Sequence, residues 1–135
     1  MTFDPVQRHE LLRLARQSIS TGLRERRRTD CPPASVSRGL DVLRASFVTL
    51  RIDTVLRGCC GSIDVQRSVA EDVWRNAWSS AFSDPRFAPL TTDEYPRCDV
   101  HVSVLSELEP VPVHTEAELL QVLRPQIDGL LLRFG

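Results

Sequence analysis

Residues 46–60 read "SFVTLRIDTVLRGCC". Val48, Leu50 and Ile52 alternate with Phe47, Thr49 and Arg51. Side chains of an extended chain point to opposite faces with a period of two, so Ser46–Ile52 is predicted as a strand half-buried on its aliphatic side. Asp53-Thr54 then makes a short turn, and residues 55–60 return as the second strand of a hairpin. Neither turn residue is glycine, so the sequence leaves the turn type open.

Beyond the hairpin, from about Asp64, the apolar period lengthens from two to near four. Val65, Val69, Val73, Ala77 and Ala81, flanked by Trp74 and Phe82, define an amphipathic helix that Asp84-Pro85 ends. Trp74 and Trp78, at helical spacing, read as core contacts. Upstream, Asp4-Pro5-Val6-Gln7 has the form of a helix start, with an N-cap Asp, Pro at the first helical position and Gln three residues after the cap. Leu11, Ala15, Ile19 and Leu23 give that helix one apolar face, and it is expected to fade near Gly22. The run "RERRR" at 24–28 reads as a solvated helix end, and Cys31-Pro32-Pro33 as irregular backbone.

Downstream, the turn-rich "RFAPLTTDEYPR" leads to a third strand over 99–105 with Val100, Val102 and Val104 inward. Thr115 and Glu118 form a second capping box before a short helix over 116–124, and an apolar run over 130–134 reads as a last strand. Helices mixed with a hairpin make the class α+β, a single domain over 1–135 with an antiparallel-containing sheet and packed helices.

Composition narrows the chemistry. All seventeen basic residues are arginine, so Schiff-base catalysis, a lysine base and a P-loop lysine are excluded. The net charge of −1 argues against a dedicated nucleic-acid binder. None of the four cysteines, Cys31, Cys59, Cys60 and Cys98, stands at C-x-x-C spacing, which argues against a zinc ribbon or a thioredoxin-like site. A Cys59–Cys60 disulfide would close a very small strained ring, so both read as free thiols. No stretch has the apolar length of a membrane helix, and a reducing cytoplasm is the expected location.

Four blocks, "FVTL" (47–50), "LRGCCG" (56–61), "NAWSSAFSDPRF" (76–87) and "HVSVLSELEP" (101–110), together resemble the AMMECR family, whose bacterial and archaeal members are called AmmeMemoRadiSam system protein A. The family hexapeptide Leu-Arg-Gly-Cys-Ile-Gly stands here as Leu56, Arg57, Gly58, Cys59, Cys60 and Gly61. Cys59 therefore occupies the family's cysteine position, and Cys60 replaces an isoleucine as a small core substitute. Thr54 stands where relatives usually carry a turn glycine. Relatives continue past "DGLLLRFG" with a Gly-Arg-Arg segment and a Phe-Leu-Pro stretch, so the chain is expected to be a shortened member or a fragment. An apolar strand left at an open edge is expected to drive self-association. The resemblance implies Memo-family and radical-SAM proteins as partners in a modification pathway; it names neither substrate nor cofactor.

Cys59 is the candidate nucleophile, since a following helix N-terminus and Arg57 would each favour its thiolate. The alternative is a thiol packed in a tight turn. His101, on the polar side of the third strand, is the candidate base, while His9 and His114 read as surface residues. Arg57 and Arg86 are candidates for recognising an anion, with Gly58 and Gly61 allowing close approach and Asn76 bordering the same cleft. The alternative is that both arginines are held in salt bridges to Asp or Glu, with Asp84 and Arg86 tying down the loop after Phe82. Glu107 and Glu109 offer further carboxylates. No metal site is expected, because Cys59, Cys98 and His101 lack a fourth ligand at a familiar spacing.

Overall fold

Asp4 caps the first helix, α1 (Pro5–Glu25), in the computed structural model of the chain, which describes residues 3–33, 39–106 and 117. The capping box is complete: the Gln7 N–H donates to Asp4 Oδ1 at 2.7 Å, and the Asp4 N–H donates to Gln7 Oε1 at 2.9 Å. α1 runs past Gly22 to Glu25, where Arg26 closes it in the left-handed region at φ 57°. Gly22 faces a partner helix and not solvent, so it continues the helix instead of ending it. A Cβ there would press on Trp78 and Phe82.

β1 (Ser46–Ile52) has the predicted bounds, and β2 (Val55–Gly61) follows it through the two-residue turn. Asp53 and Thr54 both have positive φ, 50° and 68°, the sign pattern of a type I′ hairpin turn. α2 (Val69–Phe82) and, after a 3-10 turn at Tyr95–Arg97, β3 (Cys98–Val104) complete the described elements. α2 begins four residues later than expected. Val65 is exposed outside it, and Ser68 caps it by accepting from the Glu71 N–H at 3.2 Å. The helix expected over 116–124 (Ala117 apart), the strand over 130–134, His114, Glu107 and Glu109 lie outside the described residues.

The three strands form an antiparallel sheet in the order β2-β1-β3. Val48 and Leu50 of the central strand are fully buried and pack with Leu11, Leu14, Ile19, Val69 and Val73 in one core. Val100, Val102 and Val104 of β3 pack against that core from the edge. Both helices therefore cover one face of the sheet. Phe47, Thr49 and Arg51 point to the other face. The class is α+β.

Under the helices lies a buried polar network. Asp72, 1% exposed, accepts from Ser46 Oγ at 2.6 Å, Ser62 Oγ at 2.9 Å, Arg67 Nη1 at 3.0 Å and Asn76 Nδ2 at 3.0 Å. These bonds tie α2 to the start of β1 and to the exit from β2.

Thr54 is β-branched and held in the left-handed region, which costs about 1–2 kcal/mol. Replacing it with glycine removes that strain but frees the unfolded chain, offsetting part of the gain. Thr54→Gly should raise stability by about 0.5–1 kcal/mol, read as a higher urea midpoint at unchanged slope. A lower midpoint would show that the turn is not strained.

Candidate functional site

A β-bulge decides where Arg57 goes. β1 and β2 pair Leu50 with Gly58 and Arg51 with Leu56, which leaves Arg57 without a partner on β1. A bulged residue escapes simple alternation and can be re-aimed. Its guanidinium lies over the segment that follows α2. Nε donates to Glu94 Oε2 at 2.8 Å and Nη2 to Glu94 Oε1 at 3.0 Å, and Nη2 also reaches the Ala88 carbonyl at 2.8 Å.

A second pair forms beside the first. Arg86 donates through Nε to Asp84 Oδ1 at 3.0 Å and through Nη2 to Asp84 Oδ2 at 2.7 Å. Asp84 also accepts the Arg86 N–H and, at 3.0 Å, the Cys59 N–H. The guanidinium carbons of Arg57 and Arg86 lie 5.8 and 5.4 Å from the Phe87 ring centroid. One aromatic ring thus brings both arginines together, each already held by a carboxylate.

The pairs show in the carboxyl groups. The Arg57 hydrogen bonds, helped by donors from Thr91, hold Glu94 down to about 2. Arg86 holds Asp84 well below the usual carboxylate range, against the opposing effect of burial.

Cys59 is half-buried on the sheet face away from the helices, with Sγ 3.4 Å from Thr49 Oγ1. Thr49 pairs with Cys59 on one side and with His101 on the other, so the three residues form one row across the sheet. His101 is exposed, two strands from Cys59, a backbone separation of about 10 Å. The row aligns the two without direct contact.

Neither activating feature expected of Cys59 stands beside it. Arg57 is engaged with Glu94. The part of α2 next to β2 is its C-terminal end, the negative end of the helix dipole: Ser80 O touches Gly58, and Asp84 binds the Cys59 N–H. Cys60 pairs with Val48 on the helix side, where burial pushes its thiol up.

Asn76 does not border this cluster. It is buried in the Asp72 network, and its Nδ2 also donates to the Ser46 carbonyl at 3.0 Å. The two motif glycines serve packing. A Cβ on Gly58 would collide with the Ser80 carbonyl oxygen, and one on Gly61 with the Phe47 ring. Among the described residues, no three His, Cys, Asp or Glu side chains are grouped to hold a metal ion, and no helix is long and apolar enough to cross a membrane.

The AMMECR1 family profile matches residues 12–135. The chain belongs to the AMMECR1 family. It is similar to a protein of Methanothermobacter thermautotrophicus, 33% identical over 142 residues, covering 100% of this chain and 71% of the relative. A protein of Caldivirga maquilingensis is 32% identical over 130 residues, covering 93% and 59%. Among solved structures, uncharacterized protein PH0010 from Pyrococcus horikoshii matches with a TM-score of 0.65 and 33% identity, over 76% of this chain and 53% of that one. The chain therefore spans roughly half to seven-tenths of the length of these relatives.

In this AMMECR1 chain the residues that sequence reasoning passed over are Phe87 and Glu94. Glu94 lies 37 positions from Arg57, and no local spacing links them. Asp84 did carry a signal, since it stands two residues before Arg86 within the family block.

Glu94 contributes stability that is full above its usual value of 4.5 and is lost as pH falls through its folded value of about 2. Wild-type stability should therefore fall with acid between about pH 4.5 and 2. Glu94→Gln should be about 1–2 kcal/mol less stable at pH 7 and show a shallower decline across that window. An unchanged acid limb in urea titrations would remove the pair from the stability account.

Proposed function

We propose that this AMMECR1 chain acts as a binding module, presenting the Arg57–Cys59 motif and the 84–94 segment as one rigid recognition surface. The observation that carries this reading is the double ion pairing around Phe87, in which Arg57 is fixed by Glu94 and Arg86 by Asp84. Groups held this way keep their shape and still offer unused guanidinium edges. Arg86, with a 56% exposed side chain, is the more accessible edge for an anionic group on a partner. The family resemblance supplies the partner class: a Memo-family protein and a radical-SAM protein of a modification pathway.

A second reading keeps Cys59 as nucleophile with His101 as its base and Arg57 and Arg86 as ligand-binding residues, while Gly58, Gly61 and Asn76 serve packing. The half-buried sulfur beside Thr49, in one row with exposed His101, favours it. The two readings part at the thiol. In the binding module, Cys59 alkylates at neutral pH no faster than free cysteine, by peptide-level mass spectrometry. Cys59→Ala then retains affinity for the purified Memo-family or radical-SAM partner, while Arg86→Ala weakens it about tenfold. An alkylation rate tenfold above free cysteine, or loss of a turnover on Cys59→Ala, would favour the nucleophile instead.

A further inference from the structure

Register sets Thr49 closer to Cys59 than to His101. The Ser62 N–H donates to the Ser46 carbonyl at 2.9 Å, so on this side of β1 the pairs Val48–Cys60 and Leu50–Gly58 exchange backbone hydrogen bonds. Thr49 and Cys59 are then a non-hydrogen-bonded pair, the narrow site of an antiparallel ladder, where Cα atoms come to about 4.5 Å. On the other side of β1 the Leu105 N–H donates to the Ala45 carbonyl at 2.9 Å. That makes Thr49–His101 a hydrogen-bonded pair, the wider site at about 5.5 Å. The hydroxyl accordingly reaches the sulfur: Thr49 Oγ1 lies 3.4 Å from Cys59 Sγ.

A protonated thiol can donate to a hydroxyl or accept from it. A thiolate can only accept, so the Thr49 hydroxyl becomes the donor when the proton leaves Cys59. The bond is then charge-assisted, and it favours the ionised state over the neutral one. Threonine suits the task, because its branched Cβ restricts χ1 and keeps the hydroxyl aimed.

The backbone under the sulfur is fixed as well, since the Cys59 N–H donates to Asp84 Oδ2 at 3.0 Å. The nearby charges are already matched. Arg86 closes on Asp84 through two hydrogen bonds, and Arg57 closes on Glu94. Such closed pairs present little net field to a third group. Cys60 faces the helices, and His101 stands one strand beyond Thr49. The hydroxyl is the donor that the geometry aims at this sulfur.

We propose that Thr49 is a positioning residue for Cys59, holding its sulfur on the face away from the helices and donating to it as the thiolate forms. This rests on the second reading above, in which Cys59 is the nucleophile. The test is the rate of Cys59 alkylation by iodoacetamide at pH 7 on the full chain, read peptide by peptide because Cys31, Cys60 and Cys98 are free too. In general, loss of one hydrogen bond to an anion lowers the anion's population about tenfold. The more basic sulfur regains about threefold in intrinsic nucleophilicity. Thr49→Val, which keeps the branched shape, should therefore slow alkylation about threefold, while Thr49→Ser should stay within about 1.5-fold of wild type. Valine is well suited to a strand, so the urea midpoint should hold, and in denaturing urea all three chains should react alike. An unchanged rate in Thr49→Val would overturn the assignment, and so would equal slowing in Thr49→Ser, which would mark a packing role. The nucleophile reading fails separately: a wild-type rate no faster than free cysteine, with Thr49→Val slower still, removes that reading and leaves the hydroxyl's hold on the sulfur in place.

Discussion

A carboxylate buried to 1% exposure must be fully hydrogen-bonded or it unfolds what surrounds it, and Asp72 is the residue on which this fold turns. Its partners come from three separate places: Ser46 opens the central strand, Ser62 follows β2, and Asn76 sits one turn along α2. Apolar packing alone would let α2 slide over the sheet, because Val and Leu contacts are non-directional. Directed bonds from Ser46 and Ser62 to Asp72, with Asn76 donating to the Ser46 carbonyl, fix the position of the helix along the strands. That position in turn brings the Ser80 carbonyl against Gly58, and carries residues 84–94 back across the edge of β2.

The motif is thus shaped from two sides. From below, Gly58 admits the α2 backbone at a distance that no side chain allows. From the edge, the bulge sends Arg57 outward to Glu94. Gly61, further along the strand, lets the Phe47 ring lie against its backbone on the side away from the helices. Two glycines that could have served a ligand are occupied by the protein itself, whereas Cys59, the first of the two cysteines between them, keeps its sulfur on the side away from the helices.

Much of the fold was legible in the sequence, because β1 and the capped start of α1 follow local rules: strict alternation in one case, a reciprocal cap in the other. The start of α2 was misplaced because Val65 falls in phase with Val69 and Val73, although Ser68 followed by Glu71 three residues on is itself a capping signature. Asp72 and Asn76 fall on the same helical face as Val69 and Val73, so two polar residues on an apolar stripe announced a buried network. The candidate site was legible only in part. Cys59 and His101 were placed on the right strands, but the bulge, the Arg57–Glu94 pair and the direction of α2 past Cys59 are tertiary facts that no short window contains. The bond from the Trp74 indole to the Thr29 carbonyl likewise joins segments 45 residues apart.

The bond from the Cys59 N–H to Asp84 has one more consequence. Among the described residues β2 is an edge strand, and an outward-pointing N–H on such a strand invites another chain to add as a further strand. Asp84 occupies that donor with a carboxylate held in place by Arg86, and Arg57 lays a guanidinium across the same margin. Backbone recognition along this border is therefore blocked at the motif. A molecule that reads Cys59 is left with the sheet face that no described helix covers, where it recognises side chains.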